Sequence, residues 1–457
     1  MELKTALLPW QANAVEKLKK LKIGALYMEM GTGKTRTALE LIKLRLDDDK
    51  IDGVIWLCPC SVKANLLADI RKHSDLADIP GMLEICGIES LSAGVKANVK
   101  LLELVKAKRI FLIVDESTLV KNHAALRSIH ITQIAENCKY KLILNGTPIT
   151  KFEADLYSQW YILDKRILGY NSFWSFSKNH LEYDEQHPER IRRTLNVDYL
   201  TEKIEPYTFQ CLKADCFSLP PKVSKTEYFS MTDEQDDNYN YVIEKLLTDL
   251  DEMEPESVYR FFGALQAVTS GFAIRVDNDL STSRFDMFLS PYDNPRIMLL
   301  LDLVSRNDDK TIIFCTYTSE IIKIVDMLNE LSPGSAVAFY GEIPQKKRQA
   351  QIDEFTASAR FLVANKTCGA YGLNLQFCHR IIYYSHDWDW GTRAQSEDRV
   401  HRYGQEQEVQ IFDICANSSI DIKILECLSN KESLVNHFKR EINAQSKKSL
   451  LNFARGK

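Results

Sequence analysis

The feature that most restricts the fold is a set of short runs that are apolar at nearly every position, not only at alternate ones. Ile23–Met28, Gly53–Cys58, Ile110–Asp115 and Lys141–Asn145 form a first block. Thr311–Cys315, Ala336–Tyr340, Phe361–Ala364, Ile381–Tyr384 and Val409–Ile414 form a second. A strand with one wet face alternates polar and apolar residues. A strand that is apolar throughout is covered on both faces, which is the situation in a parallel sheet flanked by helices. Amphipathic stretches separate the runs within each block, so the expected fold class is α/β, with two parallel-sheet units.

The alternation stops between the blocks. Trp160, Phe173, Trp174 and Phe176 recur among polar residues, and Asp236–Met253 and Ser257–Ser270 have helical period. The stretch reads as a mostly helical insertion with an inter-unit linker. Ser218–Lys222 (SLPPK) and Leu289–Pro295 are turn-rich joints. The expected boundaries are 1–150, 151–295, 296–430 and a basic tail, 431–457. In its last twenty residues Lys439, Arg440, Lys447, Lys448, Arg455 and Lys457 face only Glu441. The plain reading is a solvated helix and frayed end; a DNA-touching brace is the sharper one.

Composition narrows the class without choosing a partner. The net charge of −5 does not advertise a nucleic-acid binder, although a basic cleft can coexist with an acidic exterior. The eleven cysteines are odd in number and lack a CxxC pair, which argues against a disulfide framework or a zinc site. Cys58, Cys315 and Cys415 sit in apolar runs and read as reduced, buried thiols. No run approaches the roughly 18 apolar residues of a membrane span. The opening MELKTALLPWQ lacks a signal-peptide pattern. The expectation is a cytosolic protein, or a nuclear one in a eukaryote, with no membrane partner.

The clearest chemical motif is Gly31-Thr32-Gly33-Lys34-Thr35, between the run Ile23–Met28 and the helix-like Arg36–Leu46. Strand, glycine loop and helix together make a phosphate cradle. Glycines let backbone N–H groups turn inward, and the helix N-terminus adds a favourable dipole. Lys34 would neutralise the β- and γ-phosphates of ATP, and the Thr35 hydroxyl would ligate Mg²⁺. Met28 stands where the full Walker A pattern has its first glycine. The second half of such a site is an acidic pair at the end of a later strand. Asp115-Glu116 supplies it about 80 residues further on, Asp115 to hold Mg²⁺ through water and Glu116 to polarise the attacking water.

With these motifs in place the chain resembles the Swi/Snf-type ATPases of helicase superfamily 2, over nearly its whole length and in the family's order. Leu8-Pro9-Trp10-Gln11 resembles the motif whose glutamine reads adenine. Glu29-Met30-Gly31-Thr32-Gly33-Lys34-Thr35 is similar to EMGLGKT, and Asp115-Glu116-Ser117-Thr118 with Lys121-Asn122 to DEAH…KN. Asn145-Gly146-Thr147-Pro148 is similar to TGTP, and Leu219-Pro220-Pro221-Lys222 to LPPK. Gly341, Arg348 and Phe355 fit G…R…F, while Gly369, Gly372, Asn374 and Leu375 fit GLNL. Gln395 to Gln405, with Arg399 and Arg402, resembles QAxDRxHRxGQ. Four positions depart from the pattern: Met28, Thr118 in place of histidine, Asn365-Lys366-Thr367 in place of STR, and Cys211, whose neighbourhood lacks an arginine pair.

The resemblance implies two RecA-like P-loop lobes and an ATP- and Mg²⁺-dependent motor on double-stranded DNA, gripped mainly by its phosphate backbone. DNA-bound proteins are possible further substrates, and a monomer is the expected state. Gln11, Gly31, Thr32, Gly33, Lys34, Thr35 and Gly372 would bind ATP. Lys34, Asp115, Glu116, Gln395, Arg399 and Arg402 would be catalytic, with Thr35 and Asp115 on the metal. Arg399 and Arg402, three apart, are expected on one helical face as fingers for the γ-phosphate. Ser61, Lys63, Lys121, Asn122, Thr147, Thr316 and Lys366 are the expected DNA-contact or coupling residues. Two other readings stay open: a strand-separating helicase of the same superfamily, and a nucleotide-switched clamp with little turnover. A simple P-loop kinase needs neither the second block nor the late arginine pair.

Overall fold

A computed structural model describes residues 1–146, 153–183, 191–246, 255–365, 373–430 and 452–456. The chain divides into two compact units, Met1–Ser218 and Leu219–Lys457. The strands are β1 (Ile23–Met28), β2 (Gly53–Cys58), β3 (Leu83–Gly87), β4 (Ile110–Asp115), β5 (Tyr140–Asn145), β6 (Leu181–Tyr183), β7 (Ile191–Thr194), β8 (Thr208–Cys211), β9 (Lys222–Phe229), β10 (Phe272–Val276), β11 (Thr282–Asp286), β12 (Thr311–Phe314), β13 (Ala336–Phe339), β14 (Phe361–Ala364), β15 (Arg380–Tyr383) and β16 (Val409–Ala416).

The first unit holds a six-stranded sheet in the order β3-β2-β4-β5-β1-β8, parallel at every pairing. The apolar runs explain it directly. In β1, Ala25 and Tyr27 enter the core on one face, while Leu26 and Met28 enter the core on the other; β4 divides Leu112 and Val114 from Phe111 and Ile113 in the same way. Both faces are dry, so both sets are apolar. Parallel pairing places the C-terminal ends of β1 and β4 on one edge, where α/β sheets carry their ligands.

The second unit repeats the plan with another order, β13-β14-β12-β15-β16-β9, again all parallel. Ile313, Val363 and Ile382 pack on one face; Ile312, Phe314, Leu362 and Ile381 pack on the other. Helix starts follow local chemistry. Asn294 accepts from Arg296 N–H ahead of the helix Pro295–Ser305, with proline in its first turn. Ser419 accepts from Asp421 N–H ahead of Ile420–Ser429. Such caps contribute about 1 kcal/mol each.

The described residues of the stretch 151–295 are shared between the two units. Ala154–Leu168, Phe173–His180 and Val197–Ile204 pack with the first unit, and the stretch also contributes β8 to that unit's sheet. Beyond Ser218 it contributes β9 to the second sheet, then the helices Asp233–Leu246 and Pro255–Thr269 and the hairpin β10–β11. β8 and β9 escaped notice because edge strands are partly wet and mixed in polarity. β9 reads KVSKTEYF and is largely exposed.

The basic C-terminus also differs from the solvated reading where it is described. Phe453 and Ala454 are buried in an apolar cluster with Tyr239, Phe261, Phe262 and Ile424. The Tyr239 hydroxyl donates to the Ala454 carbonyl at 2.6 Å, and Arg455 pairs with Asp236 at 2.7 Å. Lys439, Arg440, Lys447, Lys448 and Lys457 lie outside the described residues. Cys58, Cys315 and Cys415 are free and buried as expected; Cys211 and Cys216 lie near each other with Cα atoms 7.2 Å apart, beyond the span of a disulfide. Among the described residues, no helix is long and apolar enough to cross a membrane.

Candidate functional site

The loop after β1 is built by backbone freedom at two glycines. Gly31 (φ 83°) and Gly33 (φ 90°) hold left-handed conformations, which side-chain-bearing residues adopt at a cost of about 1–2 kcal/mol. Space at Gly33 is also closed, since a Cβ there would lie 2.0 Å from Gln11 Nε2. Lys34 opens the helix Lys34–Asp47, and its ammonium donates to the Met28 carbonyl at 2.8 Å. Thr32 is buried, and its hydroxyl donates to the Glu29 carbonyl at 2.7 Å.

Gln11, 4 % exposed, braces this loop. Its Oε1 accepts from Leu8 N–H at 3.0 Å and its Nε2 donates to the Thr32 carbonyl at 3.1 Å. Trp10 Nε1 donates to the same carbonyl at 2.8 Å, a contact that the motif pattern did not single out. Glu29 ties the loop to the sheet edge. Its N–H donates to the Cys211 carbonyl at 3.0 Å and its carboxylate accepts from Lys213 N–H at 2.7 Å. Thr35 is half-buried. Burial pushes the Asp69 carboxyl up, but hydrogen bonds from His73 and Thr35, helped by the His73 charge, leave its pKa lowered.

At the end of β4, Glu116 N–H donates to the Asp115 carboxylate at 3.0 Å. The Asp115 pKa is raised to about 7. Burial is the main cause and the charge of Glu116 the second, with the Lys34 ammonium offsetting part of the rise. Lys34 and the acidic pair, distant in sequence, therefore share one electrostatic environment at the carboxyl edge of the sheet. Glu116 has φ 49° and ψ 55°, a conformation that a non-glycine residue holds only when its surroundings enforce it. Those surroundings include Ser117, Asn145 and Gln159. Ser117 Oγ donates to Gln159 Oε1 at 2.5 Å, and Asn145 Nδ2 donates to Ser117 Oγ at 3.3 Å. Gln159 was missed by the motifs. Its signal was present as a lone amide within the helical run LYSQWYIL.

The arginine-bearing stretch lies in the second unit. Asp389 caps the helix Trp390–Glu397 by accepting from Gly391 and Thr392 N–H. Gln395 is exposed on that helix. The helix ends at Glu397, so Arg399 and Arg402 do not share a helical face. They sit in the turn that follows, because Val400 and Gln405 turn into the core. Leu375 N–H donates to the Arg399 carbonyl at 3.0 Å, and Arg402 Nη1 donates to Asn374 Oδ1, so the turn is tied to the residues of the GLNL-like stretch. Upstream, Arg393 binds Asp413 through both Nη groups (2.6 and 3.0 Å) and Glu397 at 3.0 Å; Glu397 also pairs with Lys222 at 2.8 Å. The LPPK-like segment is thereby fastened to the helix, and His401 Nε2 lies 2.8 Å from the Pro220 carbonyl.

Of the expected DNA-contact residues, Ser61 lies in the short turn Cys60–Val62 and Lys63 opens the helix Lys63–His73, both beyond the end of β2. Lys121 and Asn122 follow the turn Ser117–Val120; Lys121 stands 3.9 Å from Asp155, and Asn122 Oδ1 accepts from Ala124 N–H. The Thr316 hydroxyl donates to the His386 carbonyl at 3.1 Å and its N–H to Ser385 and Glu320. Thr147, Lys366 and Gly372 lie outside the described residues.

Asp115 and Thr35 present hard oxygen donors of the kind Mg²⁺ takes. The raised Asp115 carboxyl, beside Glu116 and only partly offset by Lys34, is a group that a divalent cation would relieve. The residues fit the ion. Among the described residues, no three His, Cys, Asp or Glu side chains gather as a ready-made metal cage.

Two family models match this chain. Residues 84–268 match the SNF2-related domain, and residues 295–404 match the helicase conserved C-terminal domain. The chain is 24% identical over 450 residues to the ISWI chromatin-remodeling complex ATPase CHR11 of Arabidopsis thaliana, covering 90% of this chain and 40% of that protein. It is 23% identical over 450 residues to the uncharacterized ATP-dependent helicase YqhH of Bacillus subtilis, covering 93% of this chain and 78% of that one. This chain thus spans well under two thirds of the plant relatives, only 26% in the case of Protein CHROMATIN REMODELING 5. A solved Sulfolobus solfataricus SWI2/SNF2 ATPase core in complex with dsDNA aligns over 94% of this chain and 92% of its own, with 21% identity and a TM-score of 0.40.

Proposed function

The chain belongs to the Swi/Snf-type ATPases of helicase superfamily 2, and on that premise we propose that it is an ATP-hydrolysing motor that moves along double-stranded DNA and remodels or displaces what is bound there. The observation that carries the reading is that parallel pairing through β5 sets the glycine loop after β1 and the acidic pair after β4 on one sheet edge. A glycine loop alone binds phosphate; a glycine loop facing a carboxylate pair can also activate water.

The roles follow from charge and position. Backbone N–H groups around Gly31, Thr32 and Gly33 cradle the phosphates, and Lys34 neutralises the β- and γ-oxygens. Thr35 and Asp115 would hold Mg²⁺, which supplies charge neutralisation across the phosphates when bound. Glu116 accepts a hydrogen bond from the attacking water and turns a lone pair toward phosphorus. Gln395, Arg399 and Arg402 are contributed by the second unit. Arg399 and Arg402 are permanently charged and suited to γ-phosphate oxygens. Ser61, Lys63, Lys121 and Asn122 are the proposed grip on DNA phosphates, a sequence-independent and salt-sensitive contact.

The deciding experiment compares ATP turnover with and without duplex DNA across a salt series. The proposal expects stimulation by duplex that weakens as salt rises. Equal rates with and without duplex would remove the DNA motor and leave a plain ATPase.

A further inference from the structure

The fourth position of the acidic motif is Thr118, where the resembling family has histidine. What holds the catalytic loop here is a buried polar relay one residue earlier. Ser117 and Gln159 are fully buried and Asn145 is 2 % exposed. Ser117 Oγ donates to Gln159 Oε1 at 2.5 Å and accepts from Asn145 Nδ2 at 3.3 Å, while Gln159 Nε2 donates to the Asp155 carbonyl at 2.8 Å. The relay therefore joins the end of β4, the end of β5 and the helix Ala154–Leu168.

Buried polar groups are costly unless matched, and matched networks fix one arrangement. This one grips the residue next to Glu116, whose positive φ would relax without enforcement. If the Ser117 peptide rotates, the Glu116 carboxylate turns with it. We propose that Gln159 is a positioning residue that acts through Ser117 to aim Glu116. The inference rests on the reading of Glu116 as the residue that polarises water. Gln159 touches no substrate in this role. It fixes the rotamer of the hydroxyl that fixes the loop.

The test uses the full chain and steady-state ATP turnover, with and without linear duplex DNA. The variants are Ser117→Ala, Gln159→Leu and the double variant. Ser117→Ala deletes one oxygen and leaves packing volume nearly unchanged, so it reports even if Gln159→Leu folds poorly. The expected result is a fall in kcat of about ten-fold or more in each single variant, with KM for ATP within about two-fold of the parent. The double variant should be no worse than the poorer single, because both changes break the same bond. A kcat within about two-fold of the parent in folded Ser117→Ala would overturn the inference. So would a KM that rises in step with falling kcat, or losses that multiply in the double variant. If the parent turns over ATP and the variants match it, this inference alone fails; if the parent shows no turnover, the reading of Glu116 fails with it.

Discussion

The loops after β1 and β12 make an instructive pair. Both strands are buried and parallel, and both lead through a short loop into a fourteen-residue helix, Lys34–Asp47 in one case and Thr318–Leu331 in the other. In the first, the N-cap is Gly33, which brings no side chain to the helix N-terminus. In the second, the buried Glu320 folds back and its carboxylate accepts from Thr316 N–H at 3.2 Å and Tyr317 N–H at 3.1 Å. A helix N-terminus attracts one anion. In the second unit the protein supplies that anion itself. In the first, Gly33 at the N-cap supplies none, and the helix start is open to an anion from outside.

The comparison breaks most readily at Lys34. Lys34→Ala is expected to reduce ATP turnover by about a hundred-fold or more while leaving duplex binding within a few-fold in a mobility-shift assay. Retained hydrolysis would show that the first loop is not the phosphate site. Gly33→Ala is the next sharper probe, because it combines φ 90° with a collision at Gln11. KM for ATP should rise about ten-fold or more, measured at saturating DNA.

The acidic pair gives a pH signature of intermediate size. The folded Asp115 pKa is raised above its unfolded value, so its stabilising contribution is complete below about 4 and is lost as pH rises through about 7. Without nucleotide or metal, Asp115→Asn should therefore gain melting temperature relative to the parent between pH 5 and pH 8, by a few degrees, while losing turnover at every pH. A constant difference across that range, followed by differential scanning calorimetry, would show that the carboxyl is not strained by burial. The smallest effect belongs to the second loop. Glu320→Ala removes a helix cap and should lower stability by about 1–2 kcal/mol, read as a lower midpoint in urea. KM for ATP should stay unchanged, since that helix N-terminus is not a nucleotide site.

Legibility varied with how local each cause was. The bounds of β1, β2 and β4 coincide with their apolar runs, because a strand covered on both faces has no polar position to blur its pattern. The glycine loop and the acidic pair were legible because phosphate chemistry demands particular residue types at fixed spacing. Arg399 and Arg402 were legible as residues but misplaced as geometry. Spacing suggested a continuous helix, while the burial of Val400 and Gln405 takes the chain out of it. Gln159 was invisible to motif logic because its partner is distant in sequence and lies on another element.

The amino-acid sequence alone determined that two α/β blocks form, that the first carries a glycine loop and a later acidic pair, and that the second carries the arginines. Each of these is written in periodicity or in residue types that neighbours along the chain share. The tertiary structure alone decided that β8 and β9 complete the two sheets, that Phe453 closes the helical cluster of the second unit, and that Gln159 reaches Ser117. Those contacts join residues far apart in the chain. Their energy comes from burial and hydrogen bonding at sites that exist only once the rest has folded.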